Sequence, residues 1–157
     1  MASYEKMTVF FARIVIGWFL FYAGWSKLVT YFTAANDWTA AGFLKAAQGP
    51  FAGFYHSLAG SALVDYLNAY GLTLVGIALL LGILVRWSAF WGGVIMVMYY
   101  FASFPLEHAF IVDDHVIIFA MLLLLAALGA GRVWGLDKSI ENSNLVKNNP
   151  WLLKLLG

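Results

Sequence analysis

The sequence predicts an all-α integral membrane protein: a bundle of four transmembrane helices, with a short interfacial helical segment between the first two. Of its 157 residues, 63% are hydrophobic and 11% are charged, whereas a soluble domain is about 45–50% apolar and about 25% charged. A soluble globule of this size has too little interior for so many apolar side chains. A lipid bilayer, which acts as an apolar solvent, removes that problem.

Four apolar stretches approach the length of about 20 residues that a membrane-spanning helix needs. They are residues 8–32, 63–85, 87–104 and 113–131. Arg86 marks a tight turn between the second and third stretches, and Pro105 follows the third as a stop signal. The second and third stretches are therefore predicted to form an antiparallel hairpin.

Two segments lie outside the predicted spans. Residues 36–62 mix small, aromatic and polar residues and are interrupted by Pro50, so they predict short helices in an interfacial cap. Residues 1–136 are then the transmembrane domain and residues 137–157 a cytoplasmic tail. The apolar end of the tail, residues 151–156, is predicted to lie on the membrane surface.

The basic residues predict the orientation, because they favour the cytoplasmic side. Four spans put seven of the nine on the side of both termini: Lys6, Arg13, Arg86, Arg132, Lys138, Lys147 and Lys154. We therefore expect a multi-pass protein of a prokaryotic cell membrane, with both termini cytoplasmic. A net charge of +1 gives no indication of nucleic-acid binding.

The densest group of ionisable residues lies on the opposite, outer side, around the start of the fourth span. It comprises Glu107, His108, Asp113, Asp114 and His115. The aspartates are good helix N-caps and complement the helix dipole, which alone explains them. A histidine beside carboxylates at a membrane edge also exchanges protons near neutral pH. A structural hydrogen bond explains His115 equally well.

The first span carries two basic residues, Arg13 and Lys27, about four helical turns apart and near one face. Arg13 is expected to snorkel to the interface. Lys27 is expected to find a carboxylate partner on the outer side, either Asp113 or Asp114. Gly17 and Gly24 share the face and predict close helix packing.

Four aromatic residues are expected in the outer half of the bundle: Tyr22, Trp25, Tyr99 and Tyr100. An interfacial aromatic belt explains them without a ligand. They also suit the flat ring of a quinone, with His115, Tyr22 and Lys27 as polar groups near its carbonyls. The chain has no cysteine, and its motifs indicate no haem, flavin or metal.

Several stretches in order resemble the DoxX/DoxD family of small prokaryotic membrane proteins. They are residues 13–17 (RIVIG), 22–28 (YAGWSKL), 81–86 (LGILVR), 113–115 (DDH), 129–132 (GAGR) and 135–137 (GLD). The resemblance implies a four-helix membrane protein similar to the membrane subunit of thiosulfate:quinone oxidoreductase, which works beside a second subunit. It also implies Lys27, Asp114 and His115 as family-like polar positions.

Three functions follow as hypotheses. The first is a redox-associated subunit that binds quinone, with His115 and Asp114 handling protons, Lys27 polarising a carbonyl, and a second redox subunit or another copy as partner. The second is a non-catalytic scaffold or assembly subunit. The third is a small transporter, although the spans contain no midplane acid and no proline-broken helix, which transport sites generally use.

Overall fold

The computed structural model describes residues 1–33, 36–106 and 111–157, and within these ranges the chain is helical without strands. Four long helices form the body: α1 (Ser3–Leu28), α4 (Ala62–Leu81), α5 (Val85–Ala102) and α6 (Asp114–Ala127). Short helices complete it: α2 (Ala41–Ala46), α3 (Ala52–Leu58), α7 (Asp137–Glu141) and α8 (Asn144–Asn148). The predicted all-α class is confirmed.

Only part of the four-span prediction is confirmed. Within the described residues, two helices are long and apolar enough to cross a membrane: α1 with the 3₁₀ turn that extends it, Ser3–Phe32, and α4, Ala62–Leu81. Helix α6 has 14 residues, or about 21 Å at 1.5 Å per residue, less than the roughly 30 Å of a hydrocarbon core. It stops short of residue 131 because Gly129 adopts a left-handed conformation, with φ of 63°.

Helices α1 and α4 pack at unusually close range, and glycines make this possible. A Cβ on Gly24 would collide with the backbone of Thr73, and one on Gly76 would collide with the backbone of Phe21. Gly17 lies against Leu80 in the same way. The sequence-based assignment of Gly17 and Gly24 to helix packing is confirmed, because side chains there would force the two backbones apart.

Glycines also let helices α5 and α6 pack side by side. Gly92 of α5 lies against Leu122, and Gly93 lies against the ring of Phe119. Contacts between α4 and α5 and between α6 and α1 close the bundle. The shared core is built from one buried set of residues: Leu20, Leu72, Val75, Leu79, Ala89, Met96, Ile118, Leu122 and Leu125.

The turn between α4 and α5 lies earlier than Arg86, which was predicted to mark it. Gly82 ends α4 with φ of 65°, and the Ile83 N–H donates to the Ala78 carbonyl at 2.9 Å, closing a Schellman-type cap. Arg86 instead lies in the first turn of α5. Glycine determines the position because it enters the left-handed region without a Cβ clash.

The end of the bundle that holds this turn, here called the tail end, contains a buried guanidinium. Arg13 is 0% exposed, so the prediction that it snorkels to the interface is wrong. Its Nη atoms donate to the carbonyls of Ala130, Val133 (3.0 Å) and Trp134 (3.3 Å). These carbonyls lie in and just after the 3₁₀ turn Ala130–Arg132 that follows α6, and the Ala130 carbonyl also accepts the Val133 N–H at 3.2 Å.

Asp137 is the acidic counterpart at the tail end and is also fully buried. Its carboxylate accepts hydrogen bonds from the backbone N–H groups of Leu84 (2.6 Å), Val85 (3.1 Å) and Gly157 (2.9 Å). It therefore satisfies donors at the N-terminus of α5 and holds the last residues against the bundle. The predicted tail packs onto the helices through these contacts, while the division of the chain at residue 136 stays a prediction.

The opposite end, here called the cap end, carries α2 and α3, as the sequence predicted for short helices in this segment. The Tyr55 hydroxyl donates to the Met98 carbonyl of α5 at 2.8 Å, and the Ala40 N–H donates to Asp65 of α4 at 2.8 Å. Small buried residues of the cap pack beside Ala102. The cap is thus attached to the ends of α4 and α5.

The outer surfaces of all four long helices are apolar. Large exposed hydrophobic residues include Phe11 and Trp18 of α1, Leu74 of α4, Phe90 of α5 and Leu123 of α6. A monomeric soluble protein rarely exposes so much contiguous apolar surface.

The glycine contacts generate a test of helix packing. Gly76→Ala should lower the free energy of unfolding by about 1–3 kcal/mol, because its Cβ meets the Phe21 backbone, which cannot rotate away. Gly53→Ala is the matched control, since Gly53 is also helical but has nothing within 4 Å of an added Cβ. Thermal unfolding in detergent measures both. Equal stability of the two variants would contradict the packing account.

Candidate functional site

His115 and Asp113 form a close pair where α6 begins. Asp113 is the N-cap: its extended backbone lets one carboxylate oxygen accept the Val116 N–H at 3.1 Å. The other oxygen lies 2.6 Å from Nδ1 of His115 in the first helical turn. One aspartate therefore both caps α6 and orients the imidazole, as the capping and structural hydrogen-bond interpretations expected, while proton exchange by His115 stays a prediction.

The charge of Asp113 decides which ring nitrogen of His115 carries the proton. Burial favours the neutral carboxyl, but the hydrogen bonds from His115 and Val116 and the attraction of the imidazole outweigh it. The pKa of Asp113 is therefore lowered. Because the ionised carboxylate only accepts hydrogen bonds, Nδ1 must be the donor. Nε2 is then the nitrogen left for a ligand or for water.

His115 lies in the wall of a pocket of about 480 Å³ at the cap end. This volume falls within the roughly 300–1,000 Å³ that is typical of small-molecule sites. The walls combine the ends of α5 and α6 with the cap: Phe43, Ala46, Gln48, Ala102, Ser103, Phe104, Pro105, Leu106, Asp113, Asp114 and His115. Apolar walls with a few convergent polar groups are the usual composition of a ligand site.

Tyr99 of α5 holds the imidazole from the other side. Its ring meets that of His115 edge to face, with centroids 5.4 Å apart. Its phenol oxygen lies 2.6 Å from the amide nitrogen and 2.9 Å from the amide oxygen of Asn68 on α4. His115 is therefore fixed by hydrogen bonding to Asp113 and by packing on an anchored tyrosine.

Lys27 does not reach the aspartates that were predicted as its partners. Its ammonium lies 4.9 Å from the ring centroid of Trp38 and 5.9 Å from that of Tyr99. Among the described residues no carboxylate lies within ion-pair distance of it, and Asp113 is bound to His115. The negative faces of two aromatic rings replace the expected carboxylate.

The remaining predicted site residues separate into two groups. Asp114 is exposed and lines the pocket, and Tyr100 lines a groove beside His115. Tyr22 and Trp25 point outward from α1, stack on Trp18 and Phe21, and line neither cavity. This position is that of an aromatic belt rather than of a pocket wall.

Two further predicted residues, Glu107 and His108, lie outside the described part of the chain. His56 is separate from the pocket, with its Nε2 2.9 Å from the Ala47 carbonyl. In residues 1–33, 36–106 and 111–157, no three His, Cys, Asp or Glu side chains converge as a metal-ligand set would.

Sequence reasoning missed Asn68 and Phe43. Asn68 was detectable as the one amide in a predominantly apolar predicted span, where a polar group needs a partner. Phe43 carried no such signal, because its position in the pocket wall depends on how the cap folds onto α5.

Comparison with protein families gives one match: residues 8–105, well over half of the chain, fit the model of the DoxX family. The match ends before Asp113, Asp114 and His115. No curated protein and no solved structure shows significant similarity to the chain.

The Asp113–His115 pair generates a pH-dependent prediction. The pKa of Asp113 is lower in the folded protein than the value of about 4 in the unfolded chain. Its carboxylate therefore stabilises the fold above about pH 4, and this stabilisation is lost as the pH falls through the folded-state pKa. Asp113→Asn keeps an N-cap but loses the charged hydrogen bond. It should therefore be about 1–2 kcal/mol less stable than the wild type at pH 7, and the difference should shrink towards pH 2.

Melting temperatures measured across that range test this prediction. Asp114→Asn serves as the control, because Asp114 is exposed and should change little at either pH. A deficit for Asp113→Asn that persists unchanged at low pH would contradict an ionised pair.

Proposed function

This chain belongs to the DoxX family, and from that premise we propose that it is a membrane subunit of a redox complex that binds a quinone at the cap end. The observation that carries the proposal is the oriented His115 in the wall of a ligand-sized pocket, at one end of an apolar bundle. A quinone is apolar apart from two carbonyl oxygens. It needs apolar walls and one or two hydrogen-bond donors.

The pocket offers both requirements. Phe43 and Phe104 provide aromatic surface for a flat ring. Nε2 of His115, the nitrogen not used by Asp113, donates to a carbonyl oxygen when the imidazole is protonated, because both ring nitrogens then carry a hydrogen. Gln48 and Ser103 are further polar groups in the wall. The exposed carboxylate of Asp114 keeps the mouth hydrated, which gives His115 access to water.

In this proposal the chain supplies protons to the quinone and a partner subunit supplies electrons. Reducing a quinone to a quinol takes two electrons and two protons. The protons come from water by way of His115, because an imidazole can accept a proton on one ring nitrogen and release one from the other. The chain contains no cysteine, so the electrons come from a redox cofactor of a partner subunit. Lys27 is adjacent through Tyr99 and supports the site electrostatically.

The proposal includes a topology. All four long helices cross the bilayer, α6 together with the 3₁₀ turn Ala130–Arg132 that follows it, with the tail end cytoplasmic and the cap end outside. The apolar outer faces of α5 and α6 support this, as do the basic residues collected at the tail end. Arg86 and the aromatic residues near it, Trp87 and Trp91, provide an interfacial boundary for α5.

The quinone site is tested by extracting gently purified protein with organic solvent and measuring quinone by chromatography and mass spectrometry. We expect close to one quinone per chain in the wild type and a loss of at least about tenfold in His115→Ala, since a donor and part of the wall disappear. His56→Ala is the matched control, because His56 lies outside the pocket and should retain quinone.

Two outcomes would contradict the quinone proposal. One is an extract of wild-type protein that contains only bulk lipid. The other is equal quinone loss in both histidine variants. Either outcome, combined with co-purification of a stoichiometric partner, would favour the scaffold function.

The topology has its own test, which the absence of cysteine makes simple. Single-cysteine variants Ser57→Cys at the cap end and Ser139→Cys at the tail end occupy exposed positions. In intact cells, a membrane-impermeant maleimide should label Ser57→Cys and leave Ser139→Cys unlabelled until the membrane is opened. The reverse labelling would contradict the proposed orientation, and labelling of both would contradict the odd number of spans, α4, α5 and α6, between them.

A further inference from the structure

A second concavity lies next to the pocket, in the groove between α5 and α6. Its volume is about 180 Å³, and its walls include Met96, Val97, Val116 and Phe119 together with the His115 ring. The volume is below the roughly 300 Å³ at which self-sufficient ligand sites begin. The groove therefore suits one part of a larger ligand rather than a whole one.

The groove and the pocket adjoin at His115, which lies in the wall of both. Along α5 the pocket wall includes Ala102, and the groove wall reaches back to Met96. That separation is about 9 Å along the helix axis at 1.5 Å per residue. The groove thus leads from the pocket along the apolar helices towards the middle of the bundle.

The pocket is more polar than the groove, just as the ring of a membrane quinone, with its two carbonyl oxygens, is more polar than its isoprenoid tail. The pocket has carboxylate, amide and hydroxyl groups, whereas aliphatic and aromatic side chains dominate the groove. Val97 is 40% exposed, so the groove is open to the surroundings of the bundle. Phe119, packed on Gly93, forms part of its wall.

We propose that this groove binds the isoprenoid tail of the quinone whose ring occupies the pocket, and that it makes the site selective for long-chain quinones. The inference rests on the proposed function. A ligand with its ring beside His115 must direct its tail somewhere, and the groove is the apolar path that begins at the same side chain. The tail then continues into lipid past Val97.

The test compares two ligands that share a ring: a quinone with a tail of several isoprene units and its analogue with a methyl group in place of the tail. Binding is measured to protein in lipid nanodiscs. Val97→Trp fills the groove and should weaken binding of the long-chain quinone by about tenfold or more, the equivalent of losing the burial of about two methylene groups. Binding of the short-chain analogue should change by less than about twofold.

Val94→Trp is the matched control. Val94 lies one turn earlier on α5 and is similarly exposed, at 38%, but it does not line the groove. It should leave both affinities unchanged. Val97→Phe provides a second, smaller obstruction if the tryptophan variant fails to fold, and it should give a weaker loss in the same direction.

Three results would overturn the inference. If Val97→Trp leaves the long-chain affinity unchanged, the groove does not bind the tail. The quinone pocket would still stand if binding of the short-chain analogue requires His115. Equal loss for both ligands would indicate a distorted pocket rather than a blocked tail path. Displacement of the long-chain quinone by an equal concentration of phospholipid, measured in detergent instead of nanodiscs, would indicate a general acyl-chain site. If the wild-type protein binds neither ligand, the proposed function itself fails.

Discussion

The structure depends most on the hydrogen bonds of a buried guanidinium in an apolar bundle, whose Nη atoms are paired and whose Nε has no partner among the described residues. Arg13 is fully buried on α1, where an unpaired charge is costly. The carbonyls of Ala130, Val133 and Trp134 accept its hydrogen bonds, and they belong to the segment that begins where Gly129 ends α6. A single side chain thereby ties α1 to the segment that follows α6.

Asp137, a buried carboxylate, is the negatively charged counterpart of Arg13 at the tail end. It satisfies the N–H groups of Leu84 and Val85 at the start of α5, and its charge attracts Arg13 through the protein interior. Glycines at positions 82 and 135 leave room for the guanidinium, because a Cβ on either would collide with it. The ends of α1, α5 and α6 are therefore fixed in register with one another at the tail end.

This register has a consequence at the cap end. Because α5 and α6 are fixed at one end and packed closely through Gly92 and Gly93, their other ends lie side by side. Tyr99 then meets the ring of His115, and the pocket opens between the helix ends and the cap. The hydrogen bonds of Arg13 and Asp137 at the tail end thus help to position the helix ends that form the pocket at the cap end.

The sequence predicted what depends on local pattern. Apolar stretches located the long helices, Gly17 and Gly24 indicated close packing, and the Asp-Asp-His run located a helix start with ionisable groups. It did not predict what depends on tertiary contacts. In the sequence, Arg13 resembles a residue that snorkels to the interface, and only the structure shows the carbonyls after Gly129 beside it. Asp137 likewise resembles an exposed tail residue, although it is buried.

The same limit applies to the site. Nothing in the sequence distinguishes Asp113 from Asp114 as the partner of His115, because the choice depends on which residue adopts the extended N-cap conformation. Likewise, Lys27 was expected beside a carboxylate, but Trp38 from the cap and Tyr99 from α5 reach it instead. Both contacts cross between elements that are distant in sequence.

The most direct test of the central claim is photoaffinity labelling with an azido-quinone, followed by peptide mapping and competition with unlabelled quinone. The account predicts competed labelling within the pocket wall, at residues 102–106 of the α5 end and at residues 113–116 where α6 starts. Labelling confined to the exposed aromatic residues of α1 around Trp18 and Tyr22, or labelling that unlabelled quinone does not reduce, would contradict a quinone site at His115.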